Sequence, residues 1–171
     1  FEQDNEKLQK ASQKTPSSSI HPAWAALIEI LYRIQNQPYH WPTGRTIFQK
    51  IAYVSTQQGL PTGFQYQKSS FGPFSKDLKN ALNKLINNNL LQEERLGNMF
   101  VVKTGPNYPS LRKNFLSFYD QWSSLIEKTT DLFLRMNTNQ AEIVATVIYA
   151  TKDLKNTSKE NPSETDVLNY V

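Results

Sequence analysis

From His21 to Gln35 the apolar residues Trp24, Leu27, Ile28, Leu31 and Ile34 recur every three or four positions, which predicts an amphipathic helix. Pro22 suits its first turn, where a backbone N–H has no intrahelical partner. Pro38, Pro42 and Gly44 then interrupt the pattern. Residues 45–58, RTIFQKIAYVSTQQ, carry a second stripe of Ile47, Ile51 and Val54, widened by Phe48 and Ala52, with Gly59 as the stop. In Phe64 to Lys68, FQYQK, aromatic and polar residues alternate, as in a short half-buried strand. The stretch SSFGPFSKDL follows. Gly72 allows a sharp exit from the strand, and Pro73 fits the first position of a third helix. On that helix Phe74, Leu78, Ala81, Leu82 and Leu85 share an inward face that runs to Ile86. Asn87, Asn88 and Asn89 end it, since asparagine tolerates the left-handed conformation of helix ends. LLQEERL and MFVVKT then read as two strands joined at Gly97-Asn98.

The predicted fold is mainly α with a small β part. Its N-terminal half has the winged-helix order, α-α-β-α-β-β, with residues 90–104 as the wing. Gly105, Pro106 and Pro109 separate this unit, residues 21–105, from a helical unit over residues 106–171 packed on it. There, Leu111 to Met136 reads as one long helix or two, and Asn137 to Asn139 as a break and cap. Gln140 to Leu154 is a strongly apolar helix carrying Ile143, Val144, Val147, Ile148 and Ala150, and a polar loop follows over Asp153 to Glu160. A last helix begins at Pro162-Ser163-Glu164. Residues 1–20 are polar and read as a linker from an upstream domain. The chain starts at Phe1 rather than Met and stops at Val171 within SETDVLNYV, a helix just begun, so a truncated fragment is expected.

Composition narrows the chemistry. With no cysteine, disulfides, thiolate zinc sites and cysteine nucleophiles are excluded, which fits a cytoplasmic protein. No apolar run approaches membrane-spanning length, and the N-terminus has no signal-peptide core. The net charge of +4 permits nucleic acid or an acidic partner without requiring either. The six glycines form no phosphate-cradling loop. His21 and His40, the only histidines, lie beside prolines with no acidic residue at ligand spacing, so no metal site is expected. Ser75 has no nearby histidine to activate it. Glu127 and Asp131 lie one turn apart, as on an ordinary solvated face. No catalytic constellation and no cofactor site emerges. The candidate binding surface is the polar face of the third helix, Lys76, Lys79, Asn80, Asn83 and Asn87, with Lys84 at its edge and Arg95 and Lys103 on the wing. In winged-helix proteins this helix often enters the DNA major groove, where Asn reads adenine edges and Lys meets phosphate or guanine. An ordinary solvated helix face accounts for the same residues.

The segments HPAWAALIEILYRIQ, GRTIFQKIAYV, GLPTGFQYQKSSFGPFSKDLK, LQEERLGNMFVVK, NQAEIVATVIYA and PSETDVLNYV, in this order, resemble the C-terminal region of bacterial macrodomain antitoxins of the DarT–DarG type. The resemblance runs from about Pro16 to the end. The motif around Gln49-Lys50-Ile51 and Gly72-Pro73 is also similar to a wider class of antitoxin-associated domains. In the DarT–DarG systems the toxin is a DNA ADP-ribosyltransferase acting on thymidine in single strands. The antitoxin's N-terminal macrodomain removes ADP-ribose from DNA, and its C-terminal region binds the toxin and mimics its DNA substrate. The resemblance therefore implies a non-catalytic module whose partner is the toxin, with winged-helix DNA binding for autoregulation as the alternative. A DNA mimic calls for an acidic surface, and this chain is net basic. The acidic pairs Glu93-Glu94 and Glu127-Asp131 are the local candidates.

Overall fold

The computed structural model describes residues 20–158 and 161–171, so the linker expected over residues 1–20 lies outside them apart from Ile20, which is buried in the core. The fold is mainly helical with a small antiparallel β part. Helix α1 spans Pro22–Gln35 and α2 spans Arg45–Gln57. A short hairpin, β1 (Gln67–Ser69) and β2 (Gly72–Phe74), leads into α3, Lys76–Asn87. The wing is β3 (Leu91–Leu96) and β4 (Met99–Thr104), paired in register around Gly97-Asn98. The helical half comprises α4 (Tyr108–Arg112), a 3₁₀ turn at Lys113–Phe115, α5 (Leu116–Gln121), α6 (Ser123–Leu134), α7 (Thr138–Ser158) and α8 (Glu164–Tyr170).

The helix stripes turn inward as their spacing predicts. Leu27, Ile28, Leu31 and Ile34 of α1, the Ile47–Val54 stripe of α2 and Leu78, Ala81, Leu82 and Leu85 of α3 belong to one buried cluster. That cluster continues into the helical half through Leu111, Phe115, Tyr119, Ile126 and Phe133. A polar knot reinforces the junction. Glu29, 0% exposed on α1, accepts a hydrogen bond from the Tyr108 hydroxyl at 3.1 Å and from Arg112 Nε at 2.6 Å. Tyr119 donates to the Ala25 carbonyl at 3.1 Å. A buried carboxylate persists only when its charge and lone pairs are met, and Arg112, Arg33 and the Tyr108 hydroxyl meet them, with Tyr119 bonded to Tyr108 behind.

Helices α2 and α3 close with the same device. Gly59 (φ +107°) follows α2, and Leu60 N donates to Ser55 O at 3.1 Å while Gly59 N donates to Thr56 O at 3.1 Å. Asn89 (φ +57°) follows α3, and Leu90 N reaches Leu85 O while Asn89 N reaches Ile86 O, both at 3.0 Å. This double bond pattern requires a left-handed residue just past the helix, which glycine and asparagine supply.

The structure corrects five local expectations. The strand expected over Phe64–Lys68 lies at Gln67–Ser69, because only those residues face a partner strand. Phe64 instead stacks on Trp24, and Tyr66 meets Tyr53 edge to face. Pro73 is a residue of β2 rather than the start of a helix: α3 begins at Lys76, with the Ser75 hydroxyl accepting from Leu78 N at 3.3 Å as its cap. Phe74, placed in the core by its spacing, is only half buried. The polar loop expected from Asp153 is helix through Ser158, since nothing in that run breaks a helix before Pro162. A further strand-like contact sits before α2, where Gly44 bridges Val101 of β4 and Val102 N donates to Thr43 O at 2.7 Å. The region Leu111–Met136 is broken into three helices and a 3₁₀ turn. No helix among the described residues is long and apolar enough to cross a membrane.

Candidate partner-binding surface

The joint SSFGPFSKDL is held down by α2. Gln49 and Ser75 bond reciprocally, Gln49 Nε2 to Ser75 O at 3.0 Å and Ser75 N to Gln49 Oε1 at 3.1 Å. Beside them Lys50 Nζ donates to the Pro73 carbonyl at 2.9 Å. The two short motifs of the sequence, around Gln49-Lys50-Ile51 and Gly72-Pro73, thus meet. Gly72 (φ +92°) passes so close to α7 and Lys50 that a Cβ there would lie 2.7 Å from Thr146 Oγ1 and 3.4 Å from Lys50 Nζ. Lys50 is 2% exposed and makes no ion pair among the described residues. Burial lowers its pKa to about 8, and the more distant Glu142 carboxylate offsets part of that effect.

Pinned this way, the hairpin forms one wall of a cleft of about 290 Å³ whose other walls are α2 and α3. Its floor is apolar, with Phe48, Phe74, Leu78 and Leu82, and Phe71 stands over it, 63% exposed. Its cationic groups are Arg45, Lys50 and Lys79, and no acidic side chain lines it. Arg45 is already committed: it grips Glu93 of β3 with two bonds, one of them 2.6 Å, and lies 5.7 Å from the centroid of the Phe100 ring. Arg45 and Thr46 also belong to a second depression of about 230 Å³ against Met99 and Phe100 of the wing. A band with an apolar floor therefore runs from the hairpin tip to the wing tip, where Leu96, Met99 and Phe100 are exposed.

The sequence-selected residues fall on both sides of this band. Lys76, Lys79, Asn80, Asn83 and Asn87 are all exposed on α3, and of these Lys79 and Asn83 line the cleft. Lys76, Lys79 and Lys84 form no ion pair among the described residues. Arg95 folds back onto its own turn, donating to Gly97 O at 3.1 Å, and Lys103 is paired with Glu94. Of the wing's two cations Lys103 is thus ion-paired and Arg95 is bonded only to its own turn, while Leu96, Met99 and Phe100 stay exposed. Three of the four acidic candidates are also engaged, Glu93 with Arg45, Glu94 with Lys103 and Asp131 with Arg135 at 3.1 Å. His21 caps α1, its Nδ1 accepting from Ala23 N at 3.1 Å. No group of three metal-ligating side chains occurs among the described residues. Sequence reasoning missed Lys50, Arg45, Phe71 and the wing tip. Lys50 had a signal, since it stands three residues after Ile47 and four before Val54, on the buried stripe. Phe71 had none. In comparisons with known proteins, neither a family model nor a curated protein matches the chain.

Proposed function

We propose that this chain is a non-catalytic module that binds a DNA ADP-ribosyltransferase toxin and neutralises it by covering its DNA-binding surface, as the resembled antitoxin regions do. The observation that carries the reading is the wing: Leu96, Met99 and Phe100 are exposed, while Arg45 and Lys103 are paired with Glu93 and Glu94. Exposed apolar side chains beside internally neutralised charges favour a protein partner over a phosphate backbone, whose affinity depends on free cations. Mimicry by phosphate-like charge has less support, because three of the four acidic candidates are already paired. Neutralisation here works by apolar cover. The test is co-purification of the chain with the toxin encoded beside its gene, scored also for rescue of growth. Stable capture with rescue supports the reading, and a folded chain that captures nothing removes it.

The second reading is DNA binding through α3, favoured by the unpaired Lys76, Lys79 and Lys84. A mobility-shift assay across a salt series decides it. Binding that ignores the Lys76→Ala and Lys79→Ala changes eliminates this mechanism.

A further inference from the structure

The α2–hairpin–α3 cleft has three properties that together restrict its occupant. Its floor is aromatic and aliphatic, its lining carries no carboxylate, and among its lining residues is a lysine that is almost wholly buried and makes no direct ion pair among the described residues, the Glu142 carboxylate acting on it only from beyond ion-pair distance. A buried ammonium held by one carbonyl is poorly compensated, and an anion at that point would complete it. Lys79 at the rim is a second free cation, whereas Arg45 is held by Glu93. The shape suits one or two bulky side chains, with Phe71 closing over them.

We propose that this cleft receives an acidic–apolar segment of a protein partner, seating an aromatic or leucine side chain against Phe48, Phe74, Leu78 and Leu82 and a carboxylate against Lys79 and Lys50. The proposal rests on the protein-binding reading above and assigns the part of that surface that selects the partner. Nucleic acid also combines an apolar ring with an anion. The aliphatic share of the floor, Leu78 and Leu82, and the pairing of Arg45 and Lys103 with Glu93 and Glu94 beside it match a peptide better than a run of stacked bases.

The experiment is an amide-resolved NMR titration of the 171-residue chain with three defined probes. These are the peptide acetyl-EEFLEE-amide, its neutral counterpart acetyl-QQFLQQ-amide, and an octamer of thymidylate. The acidic peptide should move the amides of Phe71, Leu78, Lys79 and Asn83, and bind about fivefold tighter than the neutral one, the scale of one or two partly exposed ion pairs. Lys79→Gln, an exposed change that leaves the fold intact, should erase most of that difference and leave the neutral peptide unaffected. Equal binding of the two peptides, shifts elsewhere on the surface, or no binding overturns the proposal. Stronger movement of the same amides by the thymidylate octamer overturns it in favour of a single-strand groove. Toxin capture that survives Phe71→Ser and Lys79→Gln would remove the cleft and leave the protein-binding reading standing. Loss of capture by the unaltered chain would remove the reading and leave the peptide result to be judged alone.

Discussion

Lys50 gives the sharpest quantitative test. Its ammonium is removed from water beneath the hairpin, and burial lowers its pKa from 10.5 to about 8. The folded chain therefore releases this proton at a lower pH than the unfolded chain. Between those values the unfolded state binds more protons, so stability rises with pH. Over the whole window the shift amounts to about 3 kcal/mol, of which about 1.3 kcal/mol appears between pH 7 and pH 9. The tyrosines act in the opposite sense but at higher pH. Burial holds the Tyr53, Tyr108 and Tyr119 hydroxyls protonated above their usual value of 10.0, so their contribution is lost only as pH rises past that value. The interval from pH 7 to pH 9 thus isolates the lysine.

Urea unfolding followed by far-ultraviolet circular dichroism at pH 7, 8 and 9, at fixed ionic strength, measures the effect. The unaltered chain should gain stability across the series. Lys50→Met keeps the apolar stem, removes the titrating group and should be flat. A flat or falling profile in the unaltered chain, or an equal rise in the variant, would refute the reasoning. The same group links stability to binding. A carboxylate seated in the cleft favours protonated Lys50, so affinity for the acidic peptide should fall from pH 7 to pH 9 while that for the neutral peptide stays constant.

Glu29→Ala should destabilise the fold by about 3 kcal/mol or more, because it strands Arg112 and Tyr108 around a buried vacancy, whereas Glu29→Gln should cost less; chemical denaturation separates them. Gly105→Ala should lower stability by about 3 kcal/mol in the same assay, since its Cβ would lie 2.2 Å from the Asn89 carbonyl oxygen, a backbone atom that cannot yield cheaply. Phe71→Ser and Phe100→Ser should leave stability within about 0.5 kcal/mol, yet weaken toxin capture about tenfold or more, read by immobilised-toxin binding.

The helix stripes were legible because each repeats a local period, and the caps at Gly59 and Asn89 because a left-handed residue has few chemical choices. The third β contact, a single bridge at Gly44, carries no period to read. Ile143 shows the limit of counting apolar residues: α7 looks apolar on much of its surface, yet Ile143 is 63% exposed, since only tertiary packing decides which apolar positions are covered. Glu29 reads as an ordinary helix acid until Arg112, 83 positions away, arrives beside it. The candidate site depends on the same kind of long-range pairing. Counted along the chain, Arg95 and Lys103 are the wing's two cations and stand against two acids, Glu93 and Glu94. Folded, Arg95 closes its own turn and Lys103 is paired with Glu94, while Arg45, 48 positions from Glu93, joins that carboxylate and the Phe100 ring. Lys76, Lys79 and Lys84 on α3 form no ion pair among the described residues. Whether a surface attracts phosphate or an apolar partner depends on which charges remain unpaired, and that is set by contacts between elements. For this chain the wing's charges balance along the sequence, and only the fold shows Glu93 and Glu94 paired with Arg45 and Lys103 beside exposed Leu96, Met99 and Phe100.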